Sequence, residues 1–202
     1  MARTPKVVED RREQIIDAAL RVFAQKGYSK ATNKDIAREA GITPGLIYYY
    51  FESKEALLNA LIETRTPLQL LRSMPPEAFN LPPETFLRML LRQVFAIVES
   101  ESMVKLIRVM VPEFIHGTSI TTIPFHAFER IFAFLGSYFE AKVATGELRP
   151  LDASLTVQTI VGCMIGFVLR RQLVRDPIAL AYTQEQIVDS IVNTVLLGIL
   201  PR

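Results

Sequence analysis

The sequence is poor in the residues that support disulfide, metal and redox chemistry. It has no tryptophan, one cysteine and two histidines among 202 residues. A single cysteine excludes an intrachain disulfide, and Cys163 stands in an apolar run, so we expect a small buried residue rather than a nucleophile. The spacing of His116, His126 and Glu113 matches no compact metal motif. We therefore expect neither a metal nor a cofactor.

Signals for strands, secretion and a membrane span are also weak. No stretch alternates apolar and polar residues between tight-turn residues, which argues against β-structure. The first ten residues are polar and charged, unlike a signal peptide. The longest uncharged apolar run, residues 155–169, is shorter than the ~18 to 20 residues that a membrane span needs. We therefore expect a soluble, cytoplasmic protein with no membrane partner.

The motifs of common enzyme classes are missing from the sequence. It contains no glycine-rich phosphate loop, no nucleophile elbow and no cluster of metal ligands. We therefore expect no catalytic residues and no enzymatic activity.

Positive charge is concentrated near the N-terminus. Residues 1–54 hold ten Lys/Arg and seven Asp/Glu, a net +3, whereas residues 55–202 hold thirteen and fourteen, a net −1. The N-terminal part is therefore suited to face phosphates. Within it, Arg3 and Lys6 are expected in a solvated tail, with entry into a minor groove as the alternative.

Apolar residues recur with helical spacing along the whole chain. We predict an all-α fold of about nine helices, divided into a three-helix N-terminal domain, residues 1–54, and a larger helical bundle, residues 55–202. The helices are predicted near residues 9–26, 32–40, 43–51, 54–65, 85–100, 103–116, 124–145, 152–175 and 184–200. A proline-rich loop is predicted at 73–83.

The second and third helices form the pattern of a helix-turn-helix. Thr32 and Asp35 make an approximate capping box, and Gly41 suits a turn that requires a positive φ. The third helix begins with Pro44 and Gly45, which are rigid and small, so its N-terminus can approach a major groove closely.

Four consecutive aromatic residues follow at positions 48–51. Because helical residues point in directions about 100° apart, these four rings cannot all be buried. We expect Phe51 to face inward together with Ile47. Exposed tyrosine hydroxyls would donate to phosphate oxygens; the alternative is that the tyrosines pack the small N-terminal domain.

This segment resembles the DNA-binding domain of the TetR-like (tetracycline-repressor-like) regulators. The residues that match the family pattern are Thr32, Ile36, Ala37, Ala40, Gly41, Ile42, Thr43, Gly45, Ile47, Tyr48, Tyr50, Phe51, Ser53, Lys54, Glu55 and Leu57. Residues 16–28 also match the first helix of the family. The match is close over about residues 11–60, and beyond them the chain agrees only in being helical and of suitable length.

The resemblance implies that the chain binds double-stranded DNA. The implied contacts are Thr32, Lys34, Thr43, Pro44, Gly45, Leu46, Tyr48, Tyr49, Tyr50 and Lys54. Residues 43–46 would lie in the groove, and Tyr48, Tyr50 and Lys54 would hold phosphates. Leu46 departs from the family, where a small polar residue is common. We therefore expect Lys34, Tyr49 and DNA shape to share the sequence specificity.

The remainder of the chain is expected to dimerise. Gly162 and Gly166 are four residues apart, which lets two helix backbones approach, and Ile187, Ile191 and Val195 form one apolar stripe. Two such helices from each subunit would form a four-helix interface, and packing within one chain is the alternative. A two-fold dimer reads two half-sites, so the expected DNA is a palindromic operator.

A small, largely apolar effector is also expected. The aromatic, methionine and aliphatic residues that are candidates for its pocket are Phe95, Met103, Ile107, Met110, Phe114, Phe125, Phe128, Phe132 and Met164. Such walls suit a lipophilic ligand, although each residue taken singly is more often part of a core. Candidate polar contacts are Arg108, Glu113, His116 and His126.

Together these features predict a homodimeric repressor that an effector releases from DNA. The effector must favour one of two conformations for this to occur. An activator or a ligand-independent regulator of the same family stays open at this stage. A helical protein-interaction module is a more distant alternative.

Overall fold

A computed structural model describes residues 5–116 and 122–199 of the chain. These residues form eleven α-helices and no strand, so the all-α prediction is confirmed. The helices are α1 Pro5–Lys26, α2 Asn33–Ala40, α3 Pro44–Tyr50, α4 Lys54–Arg65, α5 Leu68–Ser73, α6 Pro83–Val98, α7 Glu101–His116, α8 Thr122–Ala144, α9 Ala153–Val168, α10 Pro177–Ala181 and α11 Gln184–Ile199.

The count exceeds the predicted nine because α5 and α10 are six and five residues long. Segments this short show no clear helical periodicity in a sequence. The predicted proline-rich loop also contains a 3-10 helix, Pro76–Asn80, and a π-helical stretch, Leu169–Val174, continues α9. Arg3 and the side chain of Lys6 lie outside the described residues.

The helices divide into two compact units. The first contains Met1–Thr66 and Glu101–Phe125, and the second contains Pro67–Ser100 and His126–Arg202. Helices α4 and α7 thus belong with the N-terminal helices. The division of function between residues 1–54 and 55–202 stays a prediction.

The core of the first unit is built on α1. Its predicted apolar stripe is buried, with Ile15, Ile16 and Phe23 fully enclosed, and both α4 and α7 pack against this helix. At the C-terminal end of α4, the Arg65 guanidinium donates hydrogen bonds to carboxylates of α1. This first unit is the one that carries the predicted helix-turn-helix.

In the second unit, α6 packs against α11. Arg92 of α6 donates to Glu185 of α11 at 3.0 Å. Elsewhere in the unit, the Phe86 and Tyr138 rings stack with centroids 3.8 Å apart, and the Tyr138 hydroxyl donates to the Leu81 carbonyl oxygen at 3.0 Å.

This packing corrects the predicted role of the α11 stripe. Ile187, Ile191 and Val195 are buried within a single chain. They therefore belong to the intrachain core, because α11 turns its most regular apolar stripe toward α6 and α9. These three residues therefore fit the alternative to a subunit interface, which is packing within one chain.

The apolar helix α9 is less covered than its composition suggests. With its π-helical continuation, residues Ala153–Val174, it is long and apolar enough by length and composition to cross a membrane, and 22% of that window is buried. The uncharged run alone did not predict this, because the helix continues past Leu169. Cys163 is exposed, so its expected burial is wrong; the buried positions of α9 are Val157, Ile160, Met164 and Val168.

Candidate nucleic-acid interface

Helices α2 and α3 are joined by a tight left-handed turn. Gly41 has φ +64° and ψ +35°, and the Ile42 amide donates to the Ala37 carbonyl oxygen at 2.9 Å. A side chain is disfavoured at this φ, which is why the sequence has glycine there. The predicted capping box is present at the start of α2: the Asp35 amide donates to the Thr32 hydroxyl at 3.2 Å, and the Thr32 amide donates to the Asp35 carboxylate at 3.2 Å.

The inner face of this pair is buried. Ile36, Ala37, Ala40, Ile47 and Phe51 are each at most 5% exposed. Because these residues fix α2 and α3 against the core, the opposite faces of the two helices are directed toward solvent.

Most of the residues predicted to contact DNA lie on the solvent side. The exposed ones are Thr32, Lys34, Thr43, Pro44, Gly45, Tyr48 and Tyr49, whereas Leu46, Tyr50 and Lys54 are half-buried. The Thr43 side chain makes no capping hydrogen bond to α3. Its hydroxyl therefore stays available to an external partner.

The three tyrosines divide into two kinds. Tyr48 and Tyr49 are 60% and 72% exposed. The Tyr50 hydroxyl is buried and finds no hydrogen-bond partner among the described residues. The predicted phosphate contact through Tyr50 is therefore not offered by this conformation, because the hydroxyl is enclosed within the protein.

Lys54 also differs from its predicted position. Its Nζ atom donates to the carbonyl oxygens of Tyr28 at 3.0 Å and Ala31 at 3.1 Å, and lies 3.5 Å from that of Ser29. It also lies 4.4 Å from the centre of the Tyr28 ring. The ammonium group that was predicted to hold a phosphate is thus directed into the protein.

Sequence reasoning did not single out Arg38. It lies one turn after Lys34 on α2, so the two side chains share a face. Arg38 is 81% exposed and lies 3.6 Å from Asp35. Asp35 itself also accepts hydrogen bonds from Lys26 and from Thr32, and these lower the pKa of its carboxyl group to about 2. The i, i+4 spacing of the two cations was the signal that would have identified Arg38.

The candidate effector residues fall in both units. In the first, Met110 is buried, Met103 and Ile107 are half-buried, and the rings of Phe114 and Phe125 are 45% and 60% exposed. In the second, Phe95 and Met164 are buried, Phe132 is half-buried and Phe128 is 38% exposed. Membership of one pocket stays a prediction for all of them.

The candidate polar contacts are also dispersed. Glu113 is buried and accepts a hydrogen bond from Ser29 at 3.2 Å. His126 lies 2.9 Å from Glu129, and Arg108 and His116 are exposed. Over residues 5–116 and 122–199, no group of three or more His, Cys, Asp or Glu is placed to hold a metal.

Two family models match the chain. Residues 15–61 match the model described as bacterial regulatory proteins of the tetR family. Residues 85–197, more than half of the chain, match the C-terminal domain of AefR-like transcriptional repressors.

Individual proteins agree with this assignment. Over 72 residues, the chain is 47% identical to the HTH-type transcriptional regulator SrpR of Pseudomonas putida; the match spans 35% of this chain and 34% of SrpR, about a third of that relative. The FadR regulator of Bacillus subtilis, solved with stearoyl-CoA, is 22% identical with a TM-score of 0.75, covering 92% of this chain and 98% of FadR.

The SmeT–triclosan complex shares the same fold. It is 19% identical with a TM-score of 0.75, covering 95% of this chain and 92% of SmeT. The N-terminal match coincides with the helices whose outer face carries the exposed residues described above. Helices α2 and α3 lie within the part of the chain that matches the N-terminal family model. The chain belongs to the TetR family of bacterial transcriptional regulators.

Proposed function

We propose that the chain acts as a homodimeric repressor that binds a palindromic operator and is released by a small, largely apolar effector. The observation that carries the DNA-binding half is the division of α3 into two faces. Ile47 is buried, whereas Tyr48 and Tyr49 are exposed beside the open N-terminal turn of the helix. A helix that packs against the protein core on one side and is exposed to solvent on the other can enter a major groove with its exposed side.

In this proposal, phosphates and bases are contacted by different residues. Tyr48 and Lys34 hold the backbone, since a hydroxyl and a cation bind phosphate oxygens without reading sequence. Pro44, Gly45 and Leu46 enter the groove, where Leu46 offers only an apolar contact such as a thymine methyl. Thr32, Thr43 and Tyr49 supply the remaining polar contacts. Tyr50 and Lys54 are left out because their polar atoms are directed inward.

Dimerisation is supported by the bare side of α9. Gly162 and Gly166 are exposed, and a Cβ atom built on either would meet nothing within 4 Å. Leu155 and Ile165 on the same helix are 66% and 41% exposed. An apolar helix with so little of its surface buried gains stability when a second copy of the chain packs against it. We propose that α9 forms the dimer interface in this way, and that the dimer is cytoplasmic.

The nature of the effector is supported by the relatives and by residue type. The FadR structure contains stearoyl-CoA and the SmeT structure contains triclosan, and both molecules have a large apolar part. Exposed aromatic residues such as Phe128 in the second unit provide apolar surface in this chain. A ligand that covers such rings stabilises whichever conformation presents them.

Selection from a random double-stranded library tests the DNA-binding half. We expect an enriched palindrome whose half-sites are separated by about one helical turn. Fluorescence anisotropy on the selected site should then show salt-sensitive, sequence-selective binding. Failure to enrich any sequence would contradict the proposal.

Sedimentation velocity tests the dimer. Gly162→Leu should convert dimers to monomers, because it adds a side chain on the bare face of α9. Ala24→Leu, at an exposed position of α1, is the control and should leave the dimer intact. A wild-type chain that sediments as a monomer at micromolar concentration would contradict a stable dimer.

The effector step is tested with the two molecules found in the related structures. Stearoyl-CoA and triclosan are titrated into the complex with the selected site, and release of DNA by either supports the proposal. An in vitro transcription assay distinguishes the repressor from an activator: the repressor lowers transcript yield, and the effector restores it.

A further inference from the structure

A lysine side chain binds the backbone of the turn between α1 and α2, residues 28–31. The Lys54 ammonium group, at the first residue of α4, is within hydrogen-bonding distance of three carbonyl oxygens of this turn, at 3.0 Å from Tyr28, 3.5 Å from Ser29 and 3.1 Å from Ala31. An ammonium group has three N–H donors. A phosphate would therefore have to replace carbonyl oxygens that Lys54 already binds.

The same turn is held by a second helix. The Ser29 hydroxyl donates to the Glu113 carboxylate of α7 at 3.2 Å, and Glu113 is only 8% exposed. A buried carboxylate requires hydrogen-bond donors, so this contact constrains Ser29. Helices α1 and α7 also pack together within the first unit.

A third contact anchors the start of the turn. Tyr28 is buried, and its hydroxyl lies 3.3 Å from the Glu55 carboxylate, next to Lys54. The end of the turn is Ala31, which directly precedes Thr32, the N-cap of α2. Whatever fixes residues 28–31 therefore fixes the position at which α2 begins.

We infer that Lys54 and Glu113 are positioning residues for the DNA-binding surface, and that Lys54 is not a phosphate ligand. Lys54 binds the turn through its backbone, and Glu113 binds it through Ser29. The two contacts hold the N-terminus of α2, and with it Thr32 and Lys34, in the orientation that DNA requires. This inference rests on the DNA-binding part of the proposed function and replaces the role that the family resemblance implied for Lys54.

The salt dependence of DNA binding separates the two roles of a lysine. A phosphate ligand releases a counterion, so its loss lowers the slope of log K against log salt by about 0.9. A positioning residue lowers affinity without changing that slope. Lys34 is the matched control, because it is exposed and no hydrogen bond or ion pair to it is seen among the described residues.

The experiment measures anisotropy of the selected operator between low and high salt for wild type, Lys54→Met and Lys34→Met. We expect Lys54→Met to lower affinity about tenfold or more with an unchanged slope. Lys34→Met should lower the slope by about one. A Lys54→Met slope reduced by about one, or an unchanged affinity, would overturn the inference.

Ser29→Ala keeps the test sharp if Lys54→Met folds poorly. It removes one hydroxyl at an exposed position and changes no charge. We expect a two- to tenfold loss of affinity, about the range for one hydrogen bond, again with an unchanged slope. Lys30→Met, at the next exposed position, is the control for changes in the turn itself.

A thermodynamic cycle identifies the partner of Ser29. Glu113→Met alone should weaken DNA binding, and adding Ser29→Ala to it should cause little further loss, because either change removes the hydrogen bond between Ser29 and Glu113. Amide hydrogen exchange over residues 28–32 should accelerate in both variants at unchanged melting temperature. Additive losses with unchanged exchange would overturn the role of Glu113, whereas a wild-type chain without sequence-selective binding would overturn the proposed function itself.

Discussion

The rings of Tyr49 and Tyr50 meet edge to face, with centroids 5.1 Å apart and an interplanar angle of 82°. Tyr49 is 72% exposed, whereas the Tyr50 hydroxyl is buried without a partner in the described part of the chain. The two adjacent tyrosines thus differ: Tyr49 is largely exposed to solvent, whereas the hydroxyl of Tyr50 is enclosed in the protein.

Removing single hydroxyls from an exposed tyrosine, Tyr48, and from the enclosed Tyr50 tests whether exposure decides the role of a tyrosine in α3. Tyr50→Phe should raise the free energy of unfolding by about 1 kcal/mol, because it removes a buried polar group that lacks a hydrogen bond, and should leave DNA affinity unchanged. Tyr48→Phe should lower DNA affinity with no change in stability. Thermal unfolding and anisotropy on one operator measure both; reduced DNA affinity in Tyr50→Phe would show that this hydroxyl reaches a phosphate.

Two glycines of the helix-turn-helix are expected to respond oppositely to alanine. Gly41 has a positive φ and no atom within 4 Å of a Cβ built on it, so Gly41→Ala should destabilise by about 1 to 2 kcal/mol through backbone strain alone. Gly45 is helical and equally open, so Gly45→Ala should be neutral or stabilise by up to about 1 kcal/mol.

The substitution at Gly45 should also affect DNA binding. The methyl group of Gly45→Ala would lie on the groove side and should weaken binding of the operator even though the fold is intact. Chemical denaturation measures the stability of each variant, and anisotropy measures its affinity for the operator. Equal stability of the two variants would contradict the strain assigned to Gly41.

The Arg65 guanidinium of α4 is expected to stabilise the first unit. It donates to Glu13 at 2.6 Å and to Asp17 at 2.8 Å. These carboxylates are one turn apart on α1, so without the cation they repel each other. Arg65→Met should destabilise by about 1 kcal/mol, since both carboxylates are partly exposed and screened by water.

A second substitution checks that mechanism. In the Arg65→Met background, Asp17→Asn should recover part of the lost stability, whereas in wild type it should be neutral or destabilising. The midpoint of urea unfolding reports both. Equal effects of Asp17→Asn in the two backgrounds would mean that the three charges do not act together.

The capping box of α2 predicts a dependence of stability on pH. The pKa of Asp35 is lowered from 3.8 to about 2, chiefly by the hydrogen bond from Lys26. A carboxyl group with a lowered pKa in the folded state stabilises the fold above its unfolded pKa, and this contribution disappears as pH falls from about 4 to about 2. Wild type should therefore exceed Asp35→Asn in stability at pH 6, and the difference should vanish near pH 2.

The control for that pH series is Glu52→Gln, which removes an equal charge at an exposed site of the same unit. Its difference from wild type should change little over the same range. A constant difference between wild type and Asp35→Asn from pH 6 to pH 2 would contradict the role of the Asp35 carboxylate.

Local features were predictable because they depend on residues close together in the chain. The capping box at Thr32, the left-handed Gly41 and the burial of Ile47 and Phe51 each follow from side-chain type and helical spacing. The family pattern added the assignment to DNA binding. The short helices α5 and α10 escaped prediction because five or six residues show too little periodicity.

The wrong predictions concern side chains whose burial depends on which other surface packs against their helix. Cys163 was expected inside because its neighbours are apolar, yet it lies one position away from the buried stripe of α9. Ile187 and Ile191 were assigned to a subunit interface, whereas α6 and α9 cover them in one chain. An apolar stripe predicts that a face is buried and leaves open which surface buries it.

The sequence by itself determined the class of fold, the helix-turn-helix and the kind of target, because helix periods, caps and a motif of constant spacing are properties of contiguous residues. Only the tertiary structure decided the direction of Lys54 and Tyr50. The Lys54 ammonium group is placed by the carbonyl oxygens of Tyr28 and Ala31, which are distant in the chain. The Tyr50 hydroxyl is placed by the rotamer that packing selects. Lys54 therefore changes from a candidate phosphate ligand into a residue that binds the turn before α2.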